Sequence, residues 1–192
     1  DLGSLPPMKN EEKLIAMKIM SDIGPTLFFS RPEYVPLLVF RLVRLSLKFG
    51  SCNETANALA AYGLILGSGL GQYKSGYRFG QLALTLARRD KTREWLAYVY
   101  MLVYSSINHW VMHIENTIEP LRYSQSIGME TGAVEFACYS ACAISIHSFV
   151  KGELLSPLEH EMQMFSKQMI EYSIEVPQGV LAPLHQCVLN LM

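Results

Sequence analysis

Two histidines, His109 and His113, stand one helical turn apart, the spacing at which two imidazoles on one helix face can bind the same metal ion. A zinc hydrolase of that kind also carries a glutamate directly after its first histidine, and Trp110 occupies that position here. No third ligand is evident nearby, and Trp110 and Met112 make the neighbourhood apolar. We therefore predict no metal ligands and interpret these histidines as structural residues or partner contacts.

The cysteines support a similar interpretation. Cys138 and Cys142 share one helix face, where two thiolates could join a metal site, but small residues at this spacing are more typical of close helix packing. The four cysteines form no CxxC pair, which indicates free thiols in a reducing, cytosolic compartment. The chain contains no GxxxxGKS or GxxxxGKT phosphate loop and no GxSxG nucleophile elbow. We predict a non-catalytic chain without a cofactor, and an enzyme site around His109, His113 and Cys142 is the alternative.

Aromatic and histidine side chains give a better functional signal. Tyr98, Tyr104 and Trp110 fall within one long predicted helix, and His109 and His147 lie in comparable segments. Where helix pairs stack, the first helix of each pair lines the concave surface on which partners bind. These five residues are therefore candidates for a partner groove, with ordinary core packing as the alternative.

Residues 71–84 indicate the elements that position these side chains. Gly76, Gly80 and Ala83 keep the spacing found in the second helix of a tetratricopeptide-type repeat. Small residues at these positions let the second helix lie close against the first. The clearest helix pair of the chain is therefore expected at 54–89.

Breakers and caps divide the chain into helices. Gly24 and Pro25 are expected to end a first helix, and Gly50 a second that opens with a capping box at Ser30–Glu33. A similar box at Ser51–Glu54 opens a third. Further boundaries are predicted at about 54–70, 73–89, 93–112, 115–128, 134–150, 157–172 and 179–191. First helices near 54, 93, 134 and 179 repeat every 40 residues or so, which predicts a single all-α domain over 1–192. We expect a tetratricopeptide-like, right-handed solenoid of antiparallel helix pairs with about eight or nine helices.

Composition limits the possible partners. Only 17% of the 192 residues are charged, below the roughly 25% of an average globular chain, and the net charge is −1. A nearly neutral chain gives no electrostatic reason to expect nucleic acid or an anionic membrane. Three stretches lack aspartate, glutamate, lysine and arginine, namely 55–73, 95–112 and 136–150. Their polar residues argue against membrane spans, and they are typical of helices in the middle layer of a solenoid.

The ends of the sequence suggest a piece of a longer polypeptide. It begins at Asp1 without a methionine and stops inside the apolar run 188–192. A terminal repeat normally carries a polar outer face, so we expect the last helix, 179–192, to promote self-association.

Several phrases taken in order resemble a known family. They are Ser46–Gly50, Ala61–Leu64, Gly76–Ala83, His109–Trp110, Gly128–Gly132, Glu135–Ala137 and His147–Gly152. Together, over roughly 28–155, they resemble the helical region of very large multi-sensor signalling kinases. In that family a protein-kinase-like domain and an AAA-type ATPase module precede the region, and GAF-type sensor and histidine-kinase domains follow it. Ala133 departs from the family, which more often has an acidic residue there.

The resemblance implies a non-catalytic linker and interaction region between an ATPase and a sensor. The phosphoacceptor histidine and the ATP-binding loops would lie in other domains of the parent kinase. The expected function is a cytoplasmic regulatory scaffold of a two-component signalling kinase, with protein segments or neighbouring domains of the same chain as partners. The alternative is the helical sensor region of an ATPase-type transcriptional regulator.

Overall fold

A computed structural model of the chain describes residues 5–89, 93 and 95–192. Over these residues it contains nine α-helices and no β-strand, which confirms the all-α prediction. A single β-bridge joins Pro7 to Ser51. The helices are α1 (Glu11–Ser30), α2 (Val35–Phe49), α3 (Glu54–Leu64), α4 (Tyr73–Arg89), α5 (Leu96–Ser106), α6 (Glu115–Thr131), α7 (Val134–Lys151), α8 (Leu155–Glu171) and α9 (Glu175–Leu191). A π-helical turn, Ile65–Gly69, extends α3.

The helices pack in two layers. Each helix contacts the next along the chain, and the odd-numbered helices also contact one another in the series α1, α3, α5, α7 and α9. Their first residues recur at intervals close to the 40 residues expected from the sequence. Each even-numbered helix contacts the odd-numbered helices before and after it. Within their layer, Arg122 of α6 and Glu161 of α8 form an ion pair through both guanidinium NH groups.

The three uncharged stretches of the sequence form the middle of the odd-numbered row. Most of α3 is buried, and so is more than half of α7, including its serines Ser140, Ser145 and Ser148. Small polar residues let these helices approach closely. The Ser124 hydroxyl of α6 donates to the Ala97 carbonyl of α5 at 2.7 Å and lies 2.8 Å from the Ser140 hydroxyl of α7. No helix in the described part of the chain is both long and apolar enough to cross a bilayer.

The closest helix contact joins α3 to α4 through facing glycines. A Cβ at Gly76 would lie 2.6 Å from the Gly63 carbonyl oxygen and 3.0 Å from the Gly67 nitrogen. At Gly80 it would lie 3.2 Å from the Val103 Cγ1 of α5. Ala83 is fully buried in the same interface. The small residues of the sequence signature therefore lie where helices meet.

Two helix boundaries differ from the prediction at the N-terminal end. Gly24 and Pro25 do not end α1, which runs on to Ser30. Pro25 removes one backbone hydrogen bond, and packing of α1 against α2 and α3 keeps the helix together. The capping box at Ser30–Glu33 does not form, because Ser30 belongs to α1 and its hydroxyl donates to the Thr26 carbonyl at 2.8 Å.

Two further boundaries were wrong. Ser51 does not cap α3; the Thr55 hydroxyl instead accepts from the Cys52 amide at 3.0 Å. The helix predicted at 93–112 ends at Ser106 and is followed by a short 3₁₀ turn, Asn108–Trp110. Serine and asparagine side chains compete for backbone hydrogen bonds, which favours a turn at this point. The predicted start near 93 adjoins residues 90–92 and 94, which lie outside the described residues.

The glycine contact gives a stability prediction. Replacing Gly76→Ala should lower the free energy of unfolding by about 1–3 kcal/mol, because the new methyl group meets backbone atoms of α3 that cannot move aside. Gly179→Ala is the control, since this α9 glycine has open space around its Cβ position and should gain up to about 1 kcal/mol in helix propensity. Urea denaturation of both variants measures the difference. Equal stabilisation by the two substitutions would contradict the close contact.

Candidate ligand groove

A groove of about 380 Å³ lies along the odd-numbered helix row. Its walls come from α1, α2, α3, α5, α7 and α9, so residues far apart in sequence meet there. The walls are almost entirely apolar, and their few polar groups are serines, one asparagine, two tyrosines, one cysteine and one histidine. Residues that line it include Ser21, Phe29, Tyr98, Tyr139, Ile146 and His147.

The C-terminal half of α1 forms one wall and bridges the groove. Because α1 continues through Pro25 to Ser30, it brings Phe28 and Phe29 over the row of odd-numbered helices. The Phe29 ring stacks on Tyr139 of α7, with ring centroids 5.9 Å apart and planes inclined by 12°. This contact joins two helices separated by more than a hundred residues and partly closes the groove.

Aromatic rings also build the floor between α5 and α7. Tyr98 packs edge-on against Phe136, with centroids 4.9 Å apart. Burial raises the pKa of Tyr98 to about 12, so its hydroxyl stays protonated at neutral pH. The Cys142 thiol donates to the Pro177 carbonyl at 3.2 Å, and burial raises its pKa to about 12 as well. A thiol with so high a pKa is a poor nucleophile and a poor metal ligand.

Two buried hydroxyl groups of the groove have no hydrogen-bond partner within the part of the chain that the structure describes. They are Ser21 Oγ on α1 and Tyr139 Oη on α7. Ser21 is 1% exposed. Pro25, four residues later, has no amide hydrogen to donate to the Ser21 carbonyl. The α1 wall therefore offers hydrogen-bonding capacity that its own helix does not use.

His147 closes one end of the groove as a neutral imidazole. Its Nδ1 lies 2.6 Å from the Thr117 hydroxyl, and its ring centroid lies 5.8 Å from that of His109. Burial, together with the neighbouring His109, lowers the pKa of His147 to about 4. Burial also lowers the pKa of His109. Both rings therefore remain uncharged near pH 7.

The five partner-groove candidates of the sequence fall in different places. Tyr98 and His147 line the groove. The His109 ring packs against the ring of His147. Trp110 stacks on Tyr73, with ring centroids 4.9 Å apart, and half of its surface is exposed. Tyr104 packs beside Tyr100, with ring centroids 5.6 Å apart. These three do not line the groove. His113 is exposed near Glu115 and does not approach His109 to form a ligand pair; over the described residues no three metal-ligating side chains converge.

Sequence reasoning missed the α1 wall and the α7 aromatics. Phe28 and Phe29 are two adjacent large aromatic residues, a pattern that can indicate a contact surface. Because Gly24 and Pro25 were expected to end the first helix, the prediction left both residues outside it. Tyr139, Cys142 and Ile146 recur at helical spacing on α7, a pattern that a buried helix also shows.

The histidine at the end of the groove makes stability depend on pH. The unfolded chain takes up a proton on this imidazole near pH 6.5, whereas folded His147 takes it up only near pH 4. Its contribution to the free energy of unfolding is therefore complete above pH 6.5 and falls by roughly 3 kcal/mol as the pH drops towards 4.

Urea denaturation of His147→Gln between pH 7.5 and 4.5 should show a much flatter dependence than the unsubstituted chain. His113→Gln is the matched control, because the His113 side chain is 70% exposed, and it should keep the full dependence. Parallel pH curves for His147→Gln and the unsubstituted chain would show that His147 is not the group responsible.

Comparison with known proteins gives one curated relative, "Hybrid signal transduction histidine kinase G" of Dictyostelium discoideum. It is 27% identical over 177 residues, which cover 91% of this chain and 5% of that protein. No family model matches the chain, and no solved structure matches it at a significant level. The chain spans only a small part of the relative's length. The similarity supports the expected relation to a region of a signalling histidine kinase.

Proposed function

We propose that this chain is a non-catalytic regulatory scaffold of a multidomain histidine kinase, built as a tetratricopeptide-like, right-handed solenoid. Its groove receives a regulatory input, and its outer surfaces contact neighbouring domains in the cytoplasm. ATP is bound elsewhere, by the AAA-type and histidine-kinase modules of the parent protein, and a GAF-type sensor follows the solenoid. The observation that carries the proposal is the apolar groove on a continuous row of odd-numbered helices, in a chain similar to a histidine kinase.

The packing order supports a solenoid. In solenoids each repeat contacts only its neighbours, and the first helices of successive repeats stand side by side on the concave face. The series from α1 through α3, α5 and α7 to α9 has this order, and the groove lies along it; the Phe29–Tyr139 stack between α1 and α7 is a contact between repeats that are not neighbours. Such surfaces bind ligands and partners far more often than they carry out chemistry. The groove's buried thiol and neutral histidine have pKa values unsuited to nucleophilic or general base catalysis near pH 7.

The outer face of α2 is suited to contact a neighbouring domain. Leu37, Phe40 and Leu47 are exposed there together with the basic residues Arg41 and Arg44. A face that combines exposed apolar and basic side chains fits an amphipathic acidic segment. Similarity to a histidine kinase favours this arrangement over a transcriptional regulator, for which the same groove would gate DNA binding.

A charge placed in the groove tests the regulatory role. Ile146 and Val150 are exposed aliphatic residues one turn apart on α7, and only Ile146 lines the groove. Ile146→Arg in the full-length protein should change the rate of histidine autophosphorylation by about fivefold or more, the usual range for coupled sites. Val150→Arg should leave that rate unchanged.

The measurement is incorporation of labelled phosphate from ATP, with circular dichroism to verify that both variants fold. Equal rates for both variants and the unsubstituted protein would show that the groove does not regulate the kinase. Absence of histidine phosphorylation in the full-length protein would overturn the proposed parent activity itself.

A further inference from the structure

We propose that the groove binds an uncharged, mostly apolar small molecule that carries one hydrogen-bonding group. This inference builds on the proposed function by naming the chemical class of the regulatory ligand. It rests on the size and closure of the groove, on the absence of charge from its walls, and on the two unpaired hydroxyl groups.

Size and closure favour a small molecule over a protein segment. The groove's 380 Å³ falls within the range of small-molecule pockets, about 300–1,000 Å³. An amphipathic helix about 10 Å across needs an open path along the concave face. The stacked pair Phe29 and Tyr139 interrupts that path by joining α1 to α7. A compact ligand fits behind this contact, whereas a helix would have to displace it.

The walls require an uncharged ligand. Among the described residues that line the groove, none is aspartate, glutamate, lysine or arginine. A ligand with a net charge would lose its hydration on entry and meet no opposite charge, which makes its binding unfavourable. Aromatic side chains from α1, α5 and α7 offer flat apolar surfaces instead. Phe28 and Phe29 are each about half exposed, and a bound ligand would bury more of their apolar surface away from water.

The hydroxyl groups of Ser21 and Tyr139 specify the polar part of the ligand. A buried hydroxyl group without a hydrogen-bond partner is unfavourable, so a single ligand atom that pairs with either group gains affinity and orientation. Ser21 belongs to the helix that Gly24 and Pro25 weaken, and Tyr139 belongs to α7. A ligand held by both hydroxyls would fix α1 against the central helices.

The first experiment measures binding of N-phenyl-1-naphthylamine, an uncharged aromatic probe whose fluorescence rises in apolar surroundings. The intact 192-residue chain should bind it saturably with one site per chain. Ile146→Arg should weaken binding by about tenfold, equivalent to 1.4 kcal/mol, whereas Val150→Arg should not. Ala61→Trp, which fills the groove from α3, is a second blocking variant in case the arginine is tolerated. Saturable binding that neither blocking variant weakens would overturn the proposal, as would the absence of saturable binding.

The second experiment tests the hydroxyl groups with two competitors of nearly equal size, 1-naphthol and 1-methylnaphthalene. The double variant Ser21→Ala with Tyr139→Phe keeps the aromatic stack and removes both hydroxyls. It should weaken displacement of the probe by 1-naphthol about fivefold and leave displacement by 1-methylnaphthalene unchanged. Equal effects on both competitors would show that the hydroxyl groups do not select the ligand.

The two proposals can fail separately. Probe binding that the blocking variants weaken, combined with unchanged autophosphorylation in Ile146→Arg, would retain the ligand site and reject its regulatory role. Altered autophosphorylation without any saturable probe binding would retain the regulatory role and overturn the small-molecule ligand, which would leave a protein segment as the occupant.

Discussion

The lack of acidic side chains, lysine and arginine along the middle of the odd-numbered helices α3, α5 and α7 is the constraint on which the rest of the structure depends. Apolar helices must be covered on nearly every side, and here the even-numbered helices and the adjacent odd-numbered helices supply most of that cover. The remaining side forms the surface of the groove. Because its residues are as apolar as the buried ones, this surface forms an apolar groove. The pattern that stabilises the two layers therefore also determines the chemistry of the groove.

The N-terminal helix covers part of this remaining side at a cost in helix stability. Pro25 forfeits a backbone hydrogen bond in the interior of α1, and Gly24 adds backbone freedom before it. Continuation of the helix past both residues brings Phe29 to Tyr139, where aromatic stacking recovers part of the loss. The C-terminal half of α1 is therefore held both by its packing against α2 and α3 and by this ring contact.

The sequence predicted the layers better than the groove. Gly76 and Gly80 predicted the close helix contacts because small residues at fixed spacing have few other uses in a helix, and Gly50 correctly marked the end of α2. Pro25 misled because its local preference for a break was overridden by tertiary packing, which one sequence does not reveal. The helix predicted to include Trp110 was wrong in its end, because α5 stops at Ser106 and Trp110 lies in a short 3₁₀ turn. The unpaired hydroxyls of Ser21 and Tyr139 depend on contacts between distant helices, which local patterns do not encode.

The position of the groove explains how occupancy could reach neighbouring domains. Its walls include α1 at one end of the helix row and α9 at the other, so a ligand that links α1 to α7 restrains most of the row at once. A ligand shifts a conformational equilibrium only by its difference in affinity between the two states. For the proposed ligand, the Phe29–Tyr139 contact would supply such a difference, because a ligand enclosed behind it would interact with both walls only while α1 lies against α7. The affinity that the ligand gains from being enclosed therefore sets the upper limit of the conformational shift that the helices can transmit.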